Sequence, residues 1–314
     1  DRELDKLVSD HGTEEIAEIA AYNVRLKSQK RQRLRAQHRR WVVSNKQDGF
    51  WILVDLVEGG DSLTQTWNFP PPKGELGPPR PAEHESTAQS EQLYVDPEAA
   101  FGYVQQDVQI FAQTKRIVTT SRSRPNIAIL SFSPESVKYR RHFGQMFPMR
   151  GWYSFGISGE NVPAVQVEGV WPAGAPIVTV LYPMPKPAGP ADEGSVALDD
   201  FQDRSEPGVS GFVYSGNGAT VFCQVSRERA LLSGGPISAV SRLLIVRQDG
   251  LGACRGLALG CSELRASDRE PLELASPDVA FTLADGQWSV ETITPPDAFR
   301  WSKTRDGQLQ PSYE

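Results

Sequence analysis

The chain of 314 residues carries 33 basic and 39 acidic side chains, which gives a formal net charge of -6. This balance argues against a protein that holds nucleic acid over its whole surface. The 27 glycines and 24 prolines disfavour a mostly helical bundle, because both residues are costly inside helices. The longest apolar runs, such as residues 50–56, are short and interrupted by charge, so we predict no membrane span.

A helix is predicted near the start of the chain, over about residues 14–30. Thr13 can cap its first turn, Glu14 suits the positive end of the helix dipole, and Ile16 and Ile19 follow at helical spacing. Basic residues then dominate residues 25–40, with no acid among them. This basic run is either a solvated helix face or tail, or a groove for a polyanion.

From Trp41 onward, β-branched and aromatic residues alternate with turn residues, which is typical of an all-β chain. Residues 41–43 and 50–55 should form a hairpin, because Asn, Asp and Gly lie between them. The other predicted strands are residues 64–69, 108–111, 116–120, 127–132, 165–170, 177–182, 211–214, 220–225, 229–232, 239–248, 254–259, 279–283 and 287–293. Short strands at such spacing indicate antiparallel sheets packed face to face.

Two proline-rich segments interrupt this pattern. Residues 70–92 should form a long exposed loop, and residues 183–208 a linker or an exposed crossing, because proline cannot donate to a sheet ladder. We therefore predict a mainly β fold, with antiparallel β-sandwich layers and one N-terminal helix. The predicted regions are a helical segment over residues 1–36, a large β-sandwich domain over 37–187 and a smaller β-sheet domain over 188–314.

Common catalytic and metal-binding motifs are missing from the sequence. There is no G-x-S-x-G, H-E-x-x-H or phosphate-loop motif. The three cysteines form no C-x-x-C, so neither a dense disulfide framework nor a structural zinc site is supported, and buried free thiols are favoured over one disulfide. We predict no metal-ligating residue, and the sequence does not indicate which cofactor, if any, is bound.

Two clusters combine basic and aromatic residues. The first is His38-Arg39-Arg40-Trp41, where Arg can form a bidentate fork to a carboxylate or sulfate and His can transfer a proton. The second covers residues 138–143 and continues to 150–153, where rings beside Arg can stack on sugars and pair with acidic substituents. The first cluster is equally compatible with an edge-strand face packed on the preceding helix, and the pattern of the second is more often that of a half-exposed strand.

The order of these stretches resembles the conserved block of the heparinase II/III-like polysaccharide lyases. In that family a histidine-arginine strand precedes a strand that ends in Asp, as in residues 38–43 and 50–59 here, and a further strand ends near Pro, as in residues 66–70. Residues 144–154, 162–164 and 177–183 and the strands from 211 to about 296 resemble the β-domain of the family. The resemblance spans roughly residue 36 to the C-terminus.

The resemblance implies an N-terminal α/α toroid followed by β-sandwich layers, and cleavage of acidic polysaccharide by β-elimination. A base removes the C5 proton of a uronic acid, Asn, His or Arg neutralises its carboxylate, and Tyr or His protonates the departing oxygen. Residues 1–36 are too few for a toroid. We therefore expect a fragment, a processed chain or a subunit whose toroid is supplied separately, in a secreted or periplasmic location.

On this resemblance we expect His38 and Tyr153 to be catalytic. The expected substrate-binding residues are Arg39, Arg40, Asn68, Arg141, His142, Arg150 and Trp152. Asn68 stands where the family commonly has a histidine, so it could bind a carboxylate but not shuttle a proton. The expected partners are an acidic polysaccharide and a separate toroid chain or domain, and not nucleic acid.

Two other functions remain open at this point. The chain could be a non-catalytic β-sandwich that binds an acidic polymer or a partner protein. It could also be a structural protein whose N-terminal helix, residues 14–30, makes an oligomer or scaffold contact without any ligand.

Overall fold

The structure is a computed structural model that describes residues 37–69, 108–120, 125–143, 150–154, 161–172, 174–184, 198–267, 269–293, 300–303 and 309–312. The chain forms two compact units, Asp1–Leu198 and Asp199–Glu314. The predicted helix at residues 14–30 and the predicted loop at 70–92 lie outside the described residues. The predicted boundary between residues 187 and 188 lies outside them as well.

The described part of the first unit consists of antiparallel strands. They are β1 (Gln37–Asn45), β2 (Phe50–Glu58), β3 (Ser62–Phe69), β4 (Val108–Phe111), β5 (Arg116–Thr119), β6 (Asn126–Phe132), β7 (Lys138–Phe143), β8 (Trp152–Ser154), β9 (Asn161–Pro163), β10 (Val165–Pro172) and β11 (Ile177–Met184). The large sheet has the strand order β1-β2-β11-β6-β5-β4, the small sheet has the order β3-β10-β7, and β8 pairs with β9. The predicted mainly β, antiparallel fold is confirmed.

The large and small sheets of this unit pack face to face. Ile117 and Ile129 of the large sheet share one buried cluster with Phe69, Tyr139 and Val165 of the small sheet. Alternation along each strand sends these side chains to one face, as expected for a sandwich. We call the face of each sheet that carries this cluster its inner face.

The predicted hairpin at the start of the unit is confirmed. β1 and β2 pair antiparallel from Gln37 opposite Glu58 to Asn45 opposite Phe50. In the turn, the Asn45 carboxamide donates to Asp48 at 2.9 Å, and Gly49 has a φ of 77° that favours glycine. The turn therefore fixes which residues of the two strands face each other.

The second unit contains β12 (Phe201–Asp203), β13 (Val209–Gly216), β14 (Ala219–Gly234), β15 (Ile237–Asp249), β16 (Cys254–Leu259), β17 (Glu263–Ala266), β18 (Val279–Ala284), β19 (Gln287–Thr292), β20 (Arg300–Lys303) and β21 (Leu309–Ser312). Its main sheet has the order β12-β13-β14-β15-β16-β18-β19, with β17 paired to β15, while β20 pairs with β21. Leu232, Leu244, Leu264 and Phe281 belong to its buried core.

Two predictions for this part of the chain need correction. The strands predicted at residues 220–225 and 229–232 form one strand, β14, because a register shift between Val225 and Ala230 absorbs the polar residues that resemble a turn. Residues 198–203, predicted within a linker, form a 3-10 helix (Leu198–Asp200) and β12, which pairs with β13.

The three cysteines, Cys223, Cys254 and Cys261, are buried free thiols. Burial raises the pKa of each thiol, so they remain protonated at neutral pH and are poor nucleophiles. Within the described ranges, no helix has the length and the apolar character needed to cross a bilayer.

Candidate functional site

Asp55 is a buried carboxylate near the β1 edge of the large sheet. Its Oδ1 accepts a hydrogen bond from Arg40 Nε at 2.6 Å and lies 2.6 Å from His38 Nε2. Its Oδ2 accepts from Arg40 Nη2 at 3.0 Å and from Gln65 Nε2 at 2.9 Å. A carboxylate out of contact with water is costly unless it is paired and hydrogen-bonded, and these four contacts meet that requirement.

The hairpin register explains how His38 and Arg40 reach Asp55. Arg40 lies directly opposite Asp55 in the β1–β2 pair, and His38 precedes it by two residues, which puts both side chains on the face that carries Asp55. The Asp55 side chain has no exposed surface, whereas 44% of the His38 side chain and 43% of the Arg40 side chain are exposed. A buried acid therefore holds an imidazole and a guanidinium that both remain accessible from solvent.

Pairing with Asp55 affects the charge of Arg40 and the position of the hydrogen on the His38 ring. The hydrogen bond from Arg40 to Asp55, together with their charge attraction, raises the pKa of the guanidinium despite the opposing effect of burial, so Arg40 stays charged. Because an ionised carboxylate can only accept, the hydrogen on the His38 ring that faces Asp55 is carried by Nε2. The second ring nitrogen, Nδ1, has no partner among the described residues and is the atom that could exchange a proton with a ligand.

Gln65 connects this cluster to the small sheet. Its Nε2 donates to Thr179 Oγ1 at 3.2 Å as well as to Asp55, and its Oε1 accepts from Trp171 Nε1 at 3.0 Å. Gln65 and Thr179 are buried, and so is Trp171, so these bonds fix the carboxamide in one orientation. The carboxylate of Asp55 is thereby held from both sheets, and we call Asp55, His38, Arg40 and Gln65 the Asp55 cluster.

A cleft of about 370 Å³ lies between β3 of the small sheet and the inner face of the large sheet. Aromatic and aliphatic side chains and two amides line it: Trp67, Asn68, Phe69, Thr119, Pro125, Asn126, Ile127, Ile129 and Leu181. Its size falls within the range of small-ligand sites. Asn68, predicted as a substrate-binding residue, lies along this cleft, although strand alternation turns its side chain away from those of Trp67 and Phe69.

A second cluster of charged side chains surrounds Glu168 of β10. Glu168 Oε2 lies 3.3 Å from His142 Nε2 and accepts from Arg150 Nη1 at 3.2 Å. Its Oε1 accepts from Gln166 Nε2 at 3.2 Å. The side chain of His142 has no exposed surface, and Glu168 is 10% exposed, so the histidine and the acid are buried, while Arg150 and Gln166 are partly exposed. We call these four residues the Glu168 cluster.

Residues 150–151 form a strap over the strand that carries His142. Gly151 N donates to Gln166 Oε1 at 2.6 Å, and Ala164 N donates to Gly151 O at 2.7 Å. Gly151 has a φ of 69°, and a Cβ at this position would approach the backbone of Phe143 to 2.7 Å. Only glycine fits this close approach, and it brings Arg150 to Glu168.

The two clusters lie on opposite faces of the small sheet. Gln65 reaches Asp55 from the inner face, on the same strand face as Phe69. His142 and Asn68 are both cross-strand partners of Gln166, one residue out of phase with Val165 and Val167 of the buried core. The structure thus brings His38 together with Arg40, and His142 with Arg150, but separates these pairs by the small sheet.

The remaining predicted site residues are placed as follows. Arg39 points to the face of β1 opposite Arg40, because neighbouring side chains alternate along a strand. Arg141 likewise lies on the face of β7 opposite His142. Trp152 and Tyr153 belong to β8, directly after the strap, and their side chains lie outside the described residues.

The acids that organise both clusters are not among the residues predicted from the sequence. Asp55 could have been found, because a hairpin that turns at residues 45–49 places residue 40 opposite residue 55. Glu168 had no such signal, since its strand pairs with β7 across a long stretch of chain. Among the residues that the structure describes, no group of three or more His, Cys, Asp or Glu side chains is arranged to hold a metal ion.

Comparison of the sequence with models of protein families and with curated proteins finds no match. The assignment to the heparinase II/III-like lyases therefore stays a prediction that depends on the residues themselves. What the structure adds is the geometry around His38, Arg40 and Asp55, which lie in the stretch that carries the resemblance.

Proposed function

We propose that the chain is the β-domain of a lyase that cleaves acidic, uronate-containing polysaccharide by β-elimination, in combination with an α/α toroid. The observation that supports this function best is the half-exposed His38, whose ring is held at 2.6 Å by the buried Asp55 beside Arg40. A histidine oriented by a carboxylate is a common arrangement for proton transfer. The resemblance of residues 38–70 to the lyase family supports the same function.

In this mechanism the bond changes are those of a β-elimination. A base takes the C5 proton of the uronate, the electron pair forms the C4–C5 double bond, and the C4–O bond breaks toward the leaving sugar. His38 acts as an imidazolium, which gives its Nδ1 proton to the departing oxygen and keeps its Nε2 hydrogen toward Asp55, while Arg40 offsets the negative charge on the uronate carboxylate. Arg40 uses Nε and Nη2 for Asp55, so Nη1 is the group that serves the ligand.

The base is not assigned to the Asp55 cluster. Tyr153, the second residue expected to be catalytic, belongs to β8, which follows the strap at the Glu168 cluster. Within the proposal, the toroid supplies the base, and His38 and Arg40 act from the β-domain.

The test combines binding with product detection. The full chain, alone and mixed with the toroid domain of a lyase of this family, is incubated with alginate, pectate, hyaluronan and heparan sulfate. The unsaturated uronate formed by β-elimination absorbs ultraviolet light. We expect product from the mixture, loss of product with His38→Gln, and wild-type rates with Arg255→Gln, which removes an exposed strand arginine of the second unit. Failure to bind any of the polymers would contradict the proposal.

A second function is favoured by one specific observation. Arg40 and His38 are both held by the same carboxylate, an arrangement that suits a fixed set of binding groups as well as it suits catalysis. A non-catalytic module for acidic polymers would be retained on a heparin or alginate column and released by salt. It would yield no unsaturated product with any toroid.

A further inference from the structure

Two large apolar side chains are exposed on the face of the large sheet that carries His38 and Arg40. Val42 is 63% exposed and Trp51 is 43% exposed. Val42 follows Arg40 by two residues on β1, and Trp51 precedes Asp55 by four residues on β2, so all of them share the inner face. The inner face of β1 and the β2 end at Trp51 form a surface that we call the ledge.

The ledge continues into the cleft between the sheets. Trp51 is the cross-strand partner of Ser44 on β1 and of Leu181 on β11, and Leu181 is in turn the partner of Ile129 on β6. Leu181 and Ile129 line the cleft. Trp51 therefore stands where the cleft meets the open edge of the large sheet.

The spacing along the ledge suits an extended ligand. Asp55 lies four residue steps after Trp51 on the same strand, which corresponds to about 13 Å at the usual rise of a β-strand. This distance is longer than one sugar ring, so a ligand that touches both Trp51 and Arg40 must be an oligomer lying along the strands.

The chemistry of the ledge identifies the kind of oligomer. A sugar ring presents C–H groups on its flat face and hydroxyls around its edge, so an indole ring can cover the flat face while the hydroxyls stay hydrated. Arg40 and His38 on the same surface complement a carboxylate or sulfate on another ring. An apolar protein partner would gain little here, because Val42 and Trp51 are the exposed large apolar side chains on the described part of the ledge, and the other inner-face residues of β1 are polar or charged.

We propose that Trp51 is a sugar-stacking residue, which binds one ring of an acidic polysaccharide while Arg40 and His38 bind the acidic group of another ring farther along the same chain. This rests on the proposed function, because it assigns a second subsite to the same surface. It adds a requirement that the proposed function lacks, namely that affinity depends on the length of the ligand.

The experiment uses the full chain and calorimetric titration with acidic oligosaccharides of increasing length, taken from the polymer that the wild type binds. We expect Trp51→Ala to weaken binding of long oligomers about tenfold. Disaccharides, which reach only Arg40 and His38, should bind the variant and the wild type equally. Trp51→Tyr should keep most of the affinity, because it retains an aromatic face.

Phe111→Ala is the matched control, since Phe111 is 46% exposed on β4 at the other edge of the large sheet. It should leave binding unchanged. A fluorescence change on adding long oligomers, present in the wild type and absent in Trp51→Phe, gives a readout that does not depend on the stability of the alanine variant.

The outcomes separate the two proposals. Equal affinity of Trp51→Ala and wild type for long oligomers overturns the stacking role and leaves the proposed function standing. If the wild type binds no acidic polymer, both fail. If Trp51→Ala instead changes the oligomeric state in size-exclusion chromatography without changing affinity, the ledge is a contact between copies and the stacking role is wrong.

Discussion

The Asp55 cluster and the Glu168 cluster contain the same chemical groups in different surroundings. Each joins one carboxylate to one histidine and one arginine at distances between 2.6 and 3.3 Å. In the first, the acid is fully buried and the histidine is 44% exposed, while in the second the histidine has no exposed surface. Identical residue types thus form a solvent-accessible surface in one place and a largely buried network in the other.

This difference explains why composition alone does not locate a site. In the Asp55 cluster the carboxylate is buried beneath a half-exposed histidine and arginine. In the Glu168 cluster the strap at residues 150–151 lies over the strand of the histidine, and Arg150 contacts the carboxylate. The burial of the histidine is therefore the property that separates the two clusters, and it can be tested by removing groups from each.

The largest difference is expected for the two histidines. His142→Ala should lower the free energy of unfolding of the first unit by about 3 kcal/mol, because it opens a cavity and removes a buried partner of Glu168. His38→Ala should cost less than about 1 kcal/mol, since a half-exposed ion pair is screened by water. Denaturant unfolding followed by tryptophan fluorescence measures both. Equal losses would contradict the distinction between the clusters.

The strap over the Glu168 cluster is the next most sensitive point. Gly151→Ala should destabilise the first unit by about 2 kcal/mol, because a Cβ meets the backbone of Phe143 and the positive φ disfavours alanine. Gly174 provides the control, since it also has a positive φ but nothing within 4 Å of a Cβ. A Gly174→Ala loss as large as that of Gly151→Ala would show that the close approach is unimportant.

The proposed ligand-binding role of the Asp55 cluster can be tested by replacing Arg40 and measuring affinity. Arg40→Gln should weaken binding of an acidic polymer about tenfold, or about 1.4 kcal/mol, and reduce the salt dependence of binding. Arg150→Gln should cause a smaller loss, because 29% of the Arg150 side chain is exposed against 43% of the Arg40 side chain. Affinity electrophoresis at several salt concentrations gives the comparison. A larger effect at Arg150 would move the binding surface to the Glu168 cluster.

A pH titration gives the smallest expected effect. Tyr139 of β7 is buried, and burial raises the pKa of its hydroxyl above the ordinary tyrosine range. The unfolded chain loses this proton near pH 10 while the folded chain keeps it, so stability falls as the pH rises above about 10. Between pH 9 and 10.5, Tyr139→Phe should remove less than about 1 kcal/mol of that decline. An unchanged slope in the variant would mean that Tyr139 is not shielded.

Much of the fold was accessible from the sequence because strand and turn signals are local. The β1–β2 hairpin follows from Asn45, Asp48 and Gly49, and β4 lies at the predicted residues 108–111. The long strand β14 was divided in two, because Arg227 and Glu228 have the polarity of a turn although the chain there continues through a register shift. Local polarity cannot distinguish these two outcomes.

The candidate site was accessible only in part. His38 and Arg40 were selected for their chemistry, and the hairpin register would have added Asp55 to them. Gln65, Trp171 and Glu168 could not be found in this way, because their contacts depend on the pairing of β3 and β7 with β10 and on the packing of one sheet on the other. Contacts between residues so far apart in the chain produce no periodic pattern in the sequence.

β1 lies at the edge of the large sheet, so Arg39 and Arg40 also affect how this edge meets other protein molecules. In the order of the described strands, β1 pairs with β2 alone, so a nine-residue strand offers backbone groups to any other sheet edge. Charged side chains on an edge strand hinder such self-association. Substitutions that remove the charge of Arg40 would weaken this protection. The same charge therefore serves both the proposed binding role and the solubility of the edge strand.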